Sequence, residues 1–344
     1  MINNSTIITE SPLKTGIGRY ALNLYKLGFF EHLMHLSYTG KSDFNEYIYF
    51  TKHWKINVLT SYYFGGVYKD YVKRYDYVFA SSPSHFHLVK YNKNMAGTIL
   101  DFSPIKYPPT RSLKSWFLKN LKYVSKLKGV VTISDHIKDE AKKMFRDLEF
   151  TTIHLWIDNE KFKIRDKTEA RRKLNLDDEK IYLLNVSGDV PRKNIDLLPR
   201  IMNKLDDRFV LIRIGESSRI LPYFNDKKKI IALNNVPDDT LPLYYNASDF
   251  LIHTAIYGGF EYPFIEAMFS DLKIMTFDTP ISREVLRDKG IFIPLLDKDS
   301  PDEWVDHIMK YYDKRIDYGE LKNHYLPERA KKEYEDFFKK IEWI

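Results

Sequence analysis

Short apolar segments alternate with amphipathic stretches along the whole chain, and this alternation constrains the fold more than any other feature. Strands that run into helices and return parallel are covered on both faces, so they read as near-continuous runs of Val, Ile, Leu and Phe. The first half predicts strands at Ser5–Thr9, Glu46–Phe50, Tyr77–Ala80, Gly97–Asp101 and Val130–Ser134, with another near Thr152–Leu155. Its helices are Gly18–Leu27, Ser112–Lys126 and a segment through Ile137–Phe145 that Ser134 and Asp135 can cap. The second half predicts strands at Ile181–Val186, Phe209–Ile214, Ile230–Leu233, Phe250–His253, Ile274–Thr276 and Ile291–Pro294. Between them lie helices at Asn194–Leu205, Leu241–Ala247, Pro263–Ser270, Ser282–Lys289 and Pro301–Tyr312. The expectation is an α/β protein of two doubly wound parallel-sheet lobes, with ligands at the carboxyl ends of the strands in a cleft. A join around Asn159–Lys167 divides the chain into lobes 1–165 and 166–326, and residues 327–344 carry a charged terminal helix, Glu328–Lys340.

A length of 344 residues suits two domains, and no internal repeat relates the halves. The absence of cysteine excludes disulfides, thiolate metal sites and cysteine nucleophiles. No apolar run is long enough to cross a bilayer, and the N-terminus lacks a basic start followed by an apolar core, which points to the cytoplasm. Charge is uneven. Residues 1–165 hold 25 Lys and Arg against 14 Asp and Glu, a net of +11, whereas residues 166–344 hold 29 against 33, a net of −4. The first half is therefore expected to meet something anionic: nucleic acid, a membrane surface or a phosphorylated substrate.

Three constellations carry chemistry. Thr15-Gly16-Ile17-Gly18-Arg19-Tyr20 joins the first strand to the first helix, where glycines and free N–H groups suit a phosphate, although Ala21 stands at the third glycine position of a dinucleotide fingerprint. A tight strand-to-helix turn explains it equally well. Ser187-Gly188-Asp189-Val190-Pro191-Arg192-Lys193-Asn194 brings two cations to an expected helix start at Asn194, an arrangement that neutralises a diphosphate; taken alone, it also reads as a solvated pair of cations. Tyr257-Gly258-Gly259-Phe260-Glu261-Tyr262-Pro263 leads into a helix whose first turn is expected to hold Glu266, as a ligand group or as an acid facing the helix dipole.

Taken in order, these segments resemble the retaining family-four glycosyltransferases of the GT-B fold, and the resemblance covers nearly the whole chain. It is carried by TGIGRYALNL, VVTISDHIKDEAKKMF, PRKN, LPLYYNASDFLIHT, GGFEYPFIEAM and SREVLRDKG. The resemblance implies an acceptor-binding first lobe, a nucleotide-sugar-binding second lobe and a terminal helix that crosses back. It implies that Lys193 and Arg192 meet the donor diphosphate, that Glu266 holds the ribose hydroxyls as the second glutamate of an E-x7-E motif, and that Gly259 and Phe260 meet sugar and phosphates. Gly16 matches a phosphate-contacting loop, and Glu284 a frequent glutamate of structural or donor-side role. Three departures stand out: the first glutamate of the motif is Gly258, a carboxylate has moved to Glu261, and the histidine of an HD pair is Leu100, before Asp101.

The implied reaction moves a hexosyl unit from a nucleoside diphosphate sugar to an acceptor hydroxyl with retention, needing no metal or further cofactor. Lys193, Arg192 and Glu261 are the expected catalytic residues. The acceptor is a carbohydrate or lipid-linked sugar, an anionic one included. Ser112–Lys128 mixes Trp116, Phe117, Leu121 and Val124 with five lysines; packing on its own lobe is the simpler reading and contact with an anionic membrane the other. His85 and His87 read first as surface histidines, with sugar or phosphate contacts behind. The histidines show no zinc spacing. The losses at Gly258 and Leu100 keep a second class open, a sugar-nucleotide or glycan-binding protein without catalysis. A nucleic-acid binder is disfavoured because no recognition motif accompanies the charge.

Overall fold

The computed structural model describes residues 1–12, 15–37, 46–49 and 66–344. Phe50, expected to end a strand, lies outside the described residues. The chain forms two compact units: Met1–Leu155 with Pro327–Ile344, and Trp156–Leu326. The boundary falls at Leu155, before the polar stretch Asn159–Lys167 where the sequence suggests a join. Ile153, Leu155 and Trp156 are all buried there, so the chain changes unit inside an apolar run.

The first unit holds a seven-stranded sheet of order β3-β2-β1-β4-β5-β6-β7. Its strands are β1 Ser5–Thr9, β2 His32–Ser37, β3 Glu46–Tyr49, β4 Tyr77–Ala80, β5 Met95–Ile99, β6 Val130–Thr132 and β7 Thr151–Thr152. All pairs are parallel; Ile7 of β1 lies opposite Leu33 on one side and Phe79 on the other. The second unit holds a six-stranded parallel sheet, β10-β9-β8-β11-β12-β13. Here the strands are β8 Ile181–Val186, β9 Phe209–Ile214, β10 Ile230–Leu233, β11 Phe250–His253, β12 Lys273–Phe277 and β13 Ile291–Ile293. In each sheet the strand order reverses at one gap, between β1 and β4 and between β8 and β11. Loops leaving the carboxyl ends of those strands diverge there and open the crevice in which doubly wound sheets bind ligands.

Local chemistry explains most element ends. Thr15 Oγ1 accepts from Gly18 N at 3.1 Å and caps the helix Gly16–Lys26, while Ser134 caps Asp135–Met144 in the same way. Gly18 is required by close approach, since a Cβ there would lie 2.0 Å from the Pro12 carbonyl oxygen. Other ends differ from expectation. β2 is an additional strand, paired with β1, which the polar-flanked HLMHLS does not announce. β5 starts at Met95 rather than Gly97 and stops before Asp101, whose Oδ1 accepts from Ser103 N at 2.9 Å and so turns the chain. The helix expected through Lys126 ends at Leu121, and a separate 3-10 turn spans Val124–Lys126.

The final helix, Pro327–Lys340, belongs to the first unit and buries its aromatic face there. Phe338 packs edge-on against Phe29 and Phe30 at 5.1 and 5.5 Å, and Tyr334 Oη sits 2.6 Å from Tyr20 Oη. Aromatic burial of this kind stabilises a docked helix by roughly 1.5–3 kcal/mol per side chain. Among the described residues no helix is long and apolar enough to cross a membrane.

Candidate functional site

The second unit's strand-order reversal gathers the residues that the sequence singled out. After β8 the chain makes a one-turn 3-10 helix, Pro191–Lys193, and Asn194 follows in the left-handed region at φ 46°. That residue breaks the path, so the next helix begins at Leu197 and not at Asn194; its amino end is not beside the cations. The loop is stitched instead to the segment after β11. Ile256 N donates to the Arg192 carbonyl at 2.9 Å, Thr254 Oγ1 donates to the Lys193 carbonyl at 2.8 Å, and the Arg192 guanidinium donates to the Tyr257 carbonyl at 3.1 Å. These bonds fix both cations against the Tyr257–Glu261 loop.

Glu261 is the centre of the cluster. It holds the N-cap position of the helix Tyr262–Phe269, yet its side chain does not cap the helix. The carboxylate accepts from Lys193 Nζ at 2.5 Å and lies 3.3 Å from His253 Nε2. Lys193, Glu261 and His253 are 9%, 5% and 1% exposed, so this is a buried ion cluster and not a solvated pair of cations. Burial alone would push the Glu261 carboxyl up, but the charges of Lys193 and Arg192, with the contact from His253, more than offset it and hold it far below the ordinary carboxylate range. Burial, with Lys193 and Arg192 adding to it, lowers His253 despite Glu261, so the imidazole stays neutral near pH 7. Phe264 covers its ring edge-on at 4.9 Å.

Gly258 explains the position of that carboxylate. A Cβ built on Gly258 would stand 2.0 Å from Glu261 Oε1. The glycine thus leaves the volume that Glu261 occupies by reaching back along its own loop. A carboxylate is therefore present beside residue 258 although residue 258 carries none.

Glu266 accepts from Tyr245 Oη and is buried. It lies in the second turn of the helix, correcting the first-turn expectation, because the helix starts at Tyr262. Gly259 and Phe260 are buried in the same loop, where Phe260 packs against Tyr325 at 5.8 Å. Glu284 is half-buried in the helix Pro280–Leu286. Gly16 lies in the other unit, exposed at the first position of its helix, with open space around a would-be Cβ. Leu100 is half-buried just past β5.

His85 and His87 are not surface residues: they are 1% and 4% exposed, because Pro83–Lys90 forms a 3-10 helix folded under the sheet's carboxyl edge. His85 Nε2 lies 3.1 Å from Glu10 Oε2, and His87 Nδ1 is 2.7 Å from Asn120 Oδ1. Burial, with His85 adding to it, takes His87 down to about 4. Sequence reasoning assigned no role to His253 or Glu10. The signal available for each was its place, a polar residue at or just beyond the carboxyl end of a central apolar strand.

Comparison with known proteins agrees with this geometry. Residues 166–333 match the family Glycosyl transferases group 1. The chain is 26% identical over 216 residues to the O-antigen chain mannosyltransferase RfbU of Salmonella typhimurium, covering 60% of this chain and 58% of that one. It is 24% identical over 230 residues to an uncharacterized glycosyltransferase of Methanocaldococcus jannaschii, covering 62% and 56%. The matches thus span less than two thirds of either curated relative. Among solved structures, Anabaena Alr3699/HepE in complex with UDP-glucose superposes with a TM-score of 0.78 at 10% identity, over 97% of this chain and 99% of that one. WaaG, a glycosyltransferase involved in lipopolysaccharide biosynthesis, gives 0.69 at 14% identity, over 96% and 95%. These likenesses show the fold, which is GT-B.

Proposed function

We propose that this chain, a member of the group 1 glycosyltransferases through residues 166–333, moves a hexosyl unit from a nucleoside diphosphate sugar to an acceptor hydroxyl with retention at the anomeric carbon. The observation that carries this reading is the buried Lys193–Glu261–His253 cluster at the strand-order reversal of the second sheet, with Arg192 bound to the same loop. A buried ammonium and a guanidinium held by backbone bonds are suited to a diphosphate leaving group. They are already oriented, so little reorganisation is needed as charge develops on the departing oxygen. The UDP-glucose complex of the Anabaena structure and the mannosyltransferase name of the Salmonella relative support a hexosyl donor.

In this reading the bond from the anomeric carbon to the phosphate oxygen breaks first, and Lys193 and Arg192 take up the charge. The acceptor oxygen bonds to the anomeric carbon on the face the diphosphate leaves, and its proton passes to the leaving phosphate. Glu261 accepts hydrogen bonds from the sugar hydroxyls in place of the glutamate absent at residue 258. The backbone of Gly259 and Phe260 lines the sugar, and Glu266 accepts from the ribose hydroxyls. No further cofactor enters. The helix Arg111–Leu121 supports peripheral contact with an anionic membrane, since exposed Met144 shares a surface hollow with Leu118, Lys119 and Lys122. Sedimentation with anionic against neutral vesicles tests that contact.

A screen of UDP-, GDP- and ADP-sugars for binding and slow hydrolysis tests the activity. Hydrolysis of one donor supports transfer. Binding without any turnover favours the non-catalytic binding protein, and no binding at all rejects the reading.

A further inference from the structure

The donor cluster holds a titratable group that the chemistry proposed above does not use. His253 closes β11 and is 1% exposed, and its Nδ1 has no hydrogen-bond partner among the described residues. Nε2 faces Glu261 Oε2 at 3.3 Å, and that same oxygen accepts from Lys193 Nζ at 2.5 Å. One carboxylate oxygen is thus shared by an ammonium and an imidazole, with all three side chains withdrawn from water. The charged groups that face the ring are Glu261 from the loop after β11, and Lys193 and Arg192 from the loop after β8. Its neighbour across the ladder in β12 is Thr276, which carries no charge, and Phe264 covers it from the helix Tyr262–Phe269. Without a ligand the ammonium satisfies the carboxylate, so the imidazole stays neutral.

That balance changes when Lys193 turns to a diphosphate, a step that rests on the donor reading above. Lys193 and Arg192 against Glu261 leave the ligand-free cluster net positive. A nucleotide sugar brings a negative charge on each of its two phosphates and makes the cluster net negative. A buried carboxylate that loses its cation is costly, and charges so far from water interact strongly. Among the described residues that face Glu261, the imidazole is the group able to gain a charge, and its Nδ1 is open to a proton. We infer that His253 is a latent cation of the donor site: as Lys193 passes from Glu261 to the donor diphosphate, His253 takes up one proton from solvent at Nδ1 and becomes the partner of the carboxylate through its Nε2–H. It is a positioning residue, since it holds Glu261 and does not touch the donor. Burial, Lys193 and Arg192 all keep the ligand-free imidazole neutral; withdrawing the lysine and adding phosphate charge both push it the other way.

The test is calorimetric titration of UDP-glucose, GDP-mannose and ADP-glucose into the 344-residue chain near pH 7, in buffers of different ionisation enthalpy. The dependence of the heat on the buffer counts the protons exchanged. Nucleotide sugars suit this count because the sugar ester removes the phosphate ionisation that a free nucleoside diphosphate has near neutrality. Uptake of at least ~0.3 proton per donor is expected, and by linkage the Kd should rise at least ~2-fold from pH 7 to pH 8. His253→Gln keeps a hydrogen-bond donor toward Glu261 but cannot charge; it should bring the uptake below ~0.1 proton and flatten the pH dependence. A merely structural role would weaken binding without changing the proton count. Glu261→Gln removes the carboxylate that the imidazolium would face; it should lose the uptake as well, and it carries the test if His253→Gln does not fold. Donor binding without proton uptake, or uptake that survives His253→Gln, overturns the inference and leaves the donor reading standing. Binding of none of the three nucleotide sugars overturns both.

Discussion

The two sheets meet the same topological situation with the same pair of residue types. Glu10 and His85 lie 3.1 Å apart where the first sheet reverses its strand order, and Glu261 and His253 lie 3.3 Å apart where the second does. The difference is the cation. Lys193 bonds Glu261 and Arg192 is pinned beside it, whereas among the described residues the groups on Glu10 are a hydroxyl and an imidazole. A carboxylate–imidazole contact therefore does not by itself tell which ligand a strand-end crevice takes. Among the described residues an ammonium and a guanidinium stand at the second crevice and neither lysine nor arginine pairs with Glu10, and under the proposed function that pair suits the second crevice to a diphosphate.

Removing the cation should break the contrast most severely. Lys193→Ala leaves Glu261 buried against a neutral imidazole, and breaking one side of a buried pair costs about 3–5 kcal/mol of stability. Lys193→Met with Glu261→Gln should recover most of that loss, because neither member is then a stranded charge. Urea unfolding of the single and double variants checks this, and an additive double variant would contradict it. The alanine variant should also lose roughly 1.5–3 kcal/mol of transition-state stabilisation in donor turnover, read from kcat/KM.

Behind the first crevice, His87 provides a pH-dependent contrast. Its folded pKa, about 4, lies below the ordinary 6.5, so its stabilising contribution is complete above pH 6.5 and is lost as pH falls toward 4. That depression corresponds to roughly 3 kcal/mol. Unfolding free energies at neutral pH and near pH 4 should show this drop, and His87→Gln, which can still meet Asn120, should flatten it. An unchanged slope in the variant would place the acid sensitivity elsewhere.

A smaller effect sharpens the role of the displaced carboxylate. Glu261→Ala should cut turnover at least ~10-fold, or ~1.4 kcal/mol, while nucleotide diphosphate affinity stays near wild type. Because the Gly258 side-chain position and the Glu261 carboxylate claim the same volume, Gly258→Glu in that background should restore part of the rate. Normal donor turnover in Glu261→Ala would put sugar recognition in other hands. The smallest effect is expected at Glu266, where Glu266→Gln keeps a partner for Tyr245 Oη and should weaken free nucleotide diphosphate by ~3-fold or more. Equal affinity would reduce Glu266 to a packing role.

Much of this was legible in the sequence because strand identity follows from apolar runs: β8, β9, β10 and β11 end where the residues alone place them. The place of Arg192 and Lys193 after a central strand is legible too, but the burial of Lys193 is not, since the same residues read as a solvated pair of cations. What local chemistry hides is the return of a side chain across a loop. Glu261 reaching into the space beside Gly258 depends on the backbone path between them, and the left-handed turn at Asn194 depends on a bond from its side chain to the Lys298 carbonyl, far along the chain. The burial of His85 and His87 was illegible for a related reason. A Ser-Ser-Pro-Ser start reads as an exposed loop, yet it caps a 3-10 helix that turns both rings inward.

The central claim is that Lys193, paired with Glu261, forms the diphosphate-binding cation of the second unit. Calorimetric titration of UDP-, GDP- and ADP-sugars into the wild-type chain and the Lys193→Met, Glu261→Gln double variant tests it directly, because the double variant removes the cation without stranding a charge. The account predicts that one nucleotide sugar binds the wild type and that its Kd rises at least ~10-fold in the double variant, the loss of one charge-assisted contact. Equal affinity in the two proteins would contradict it.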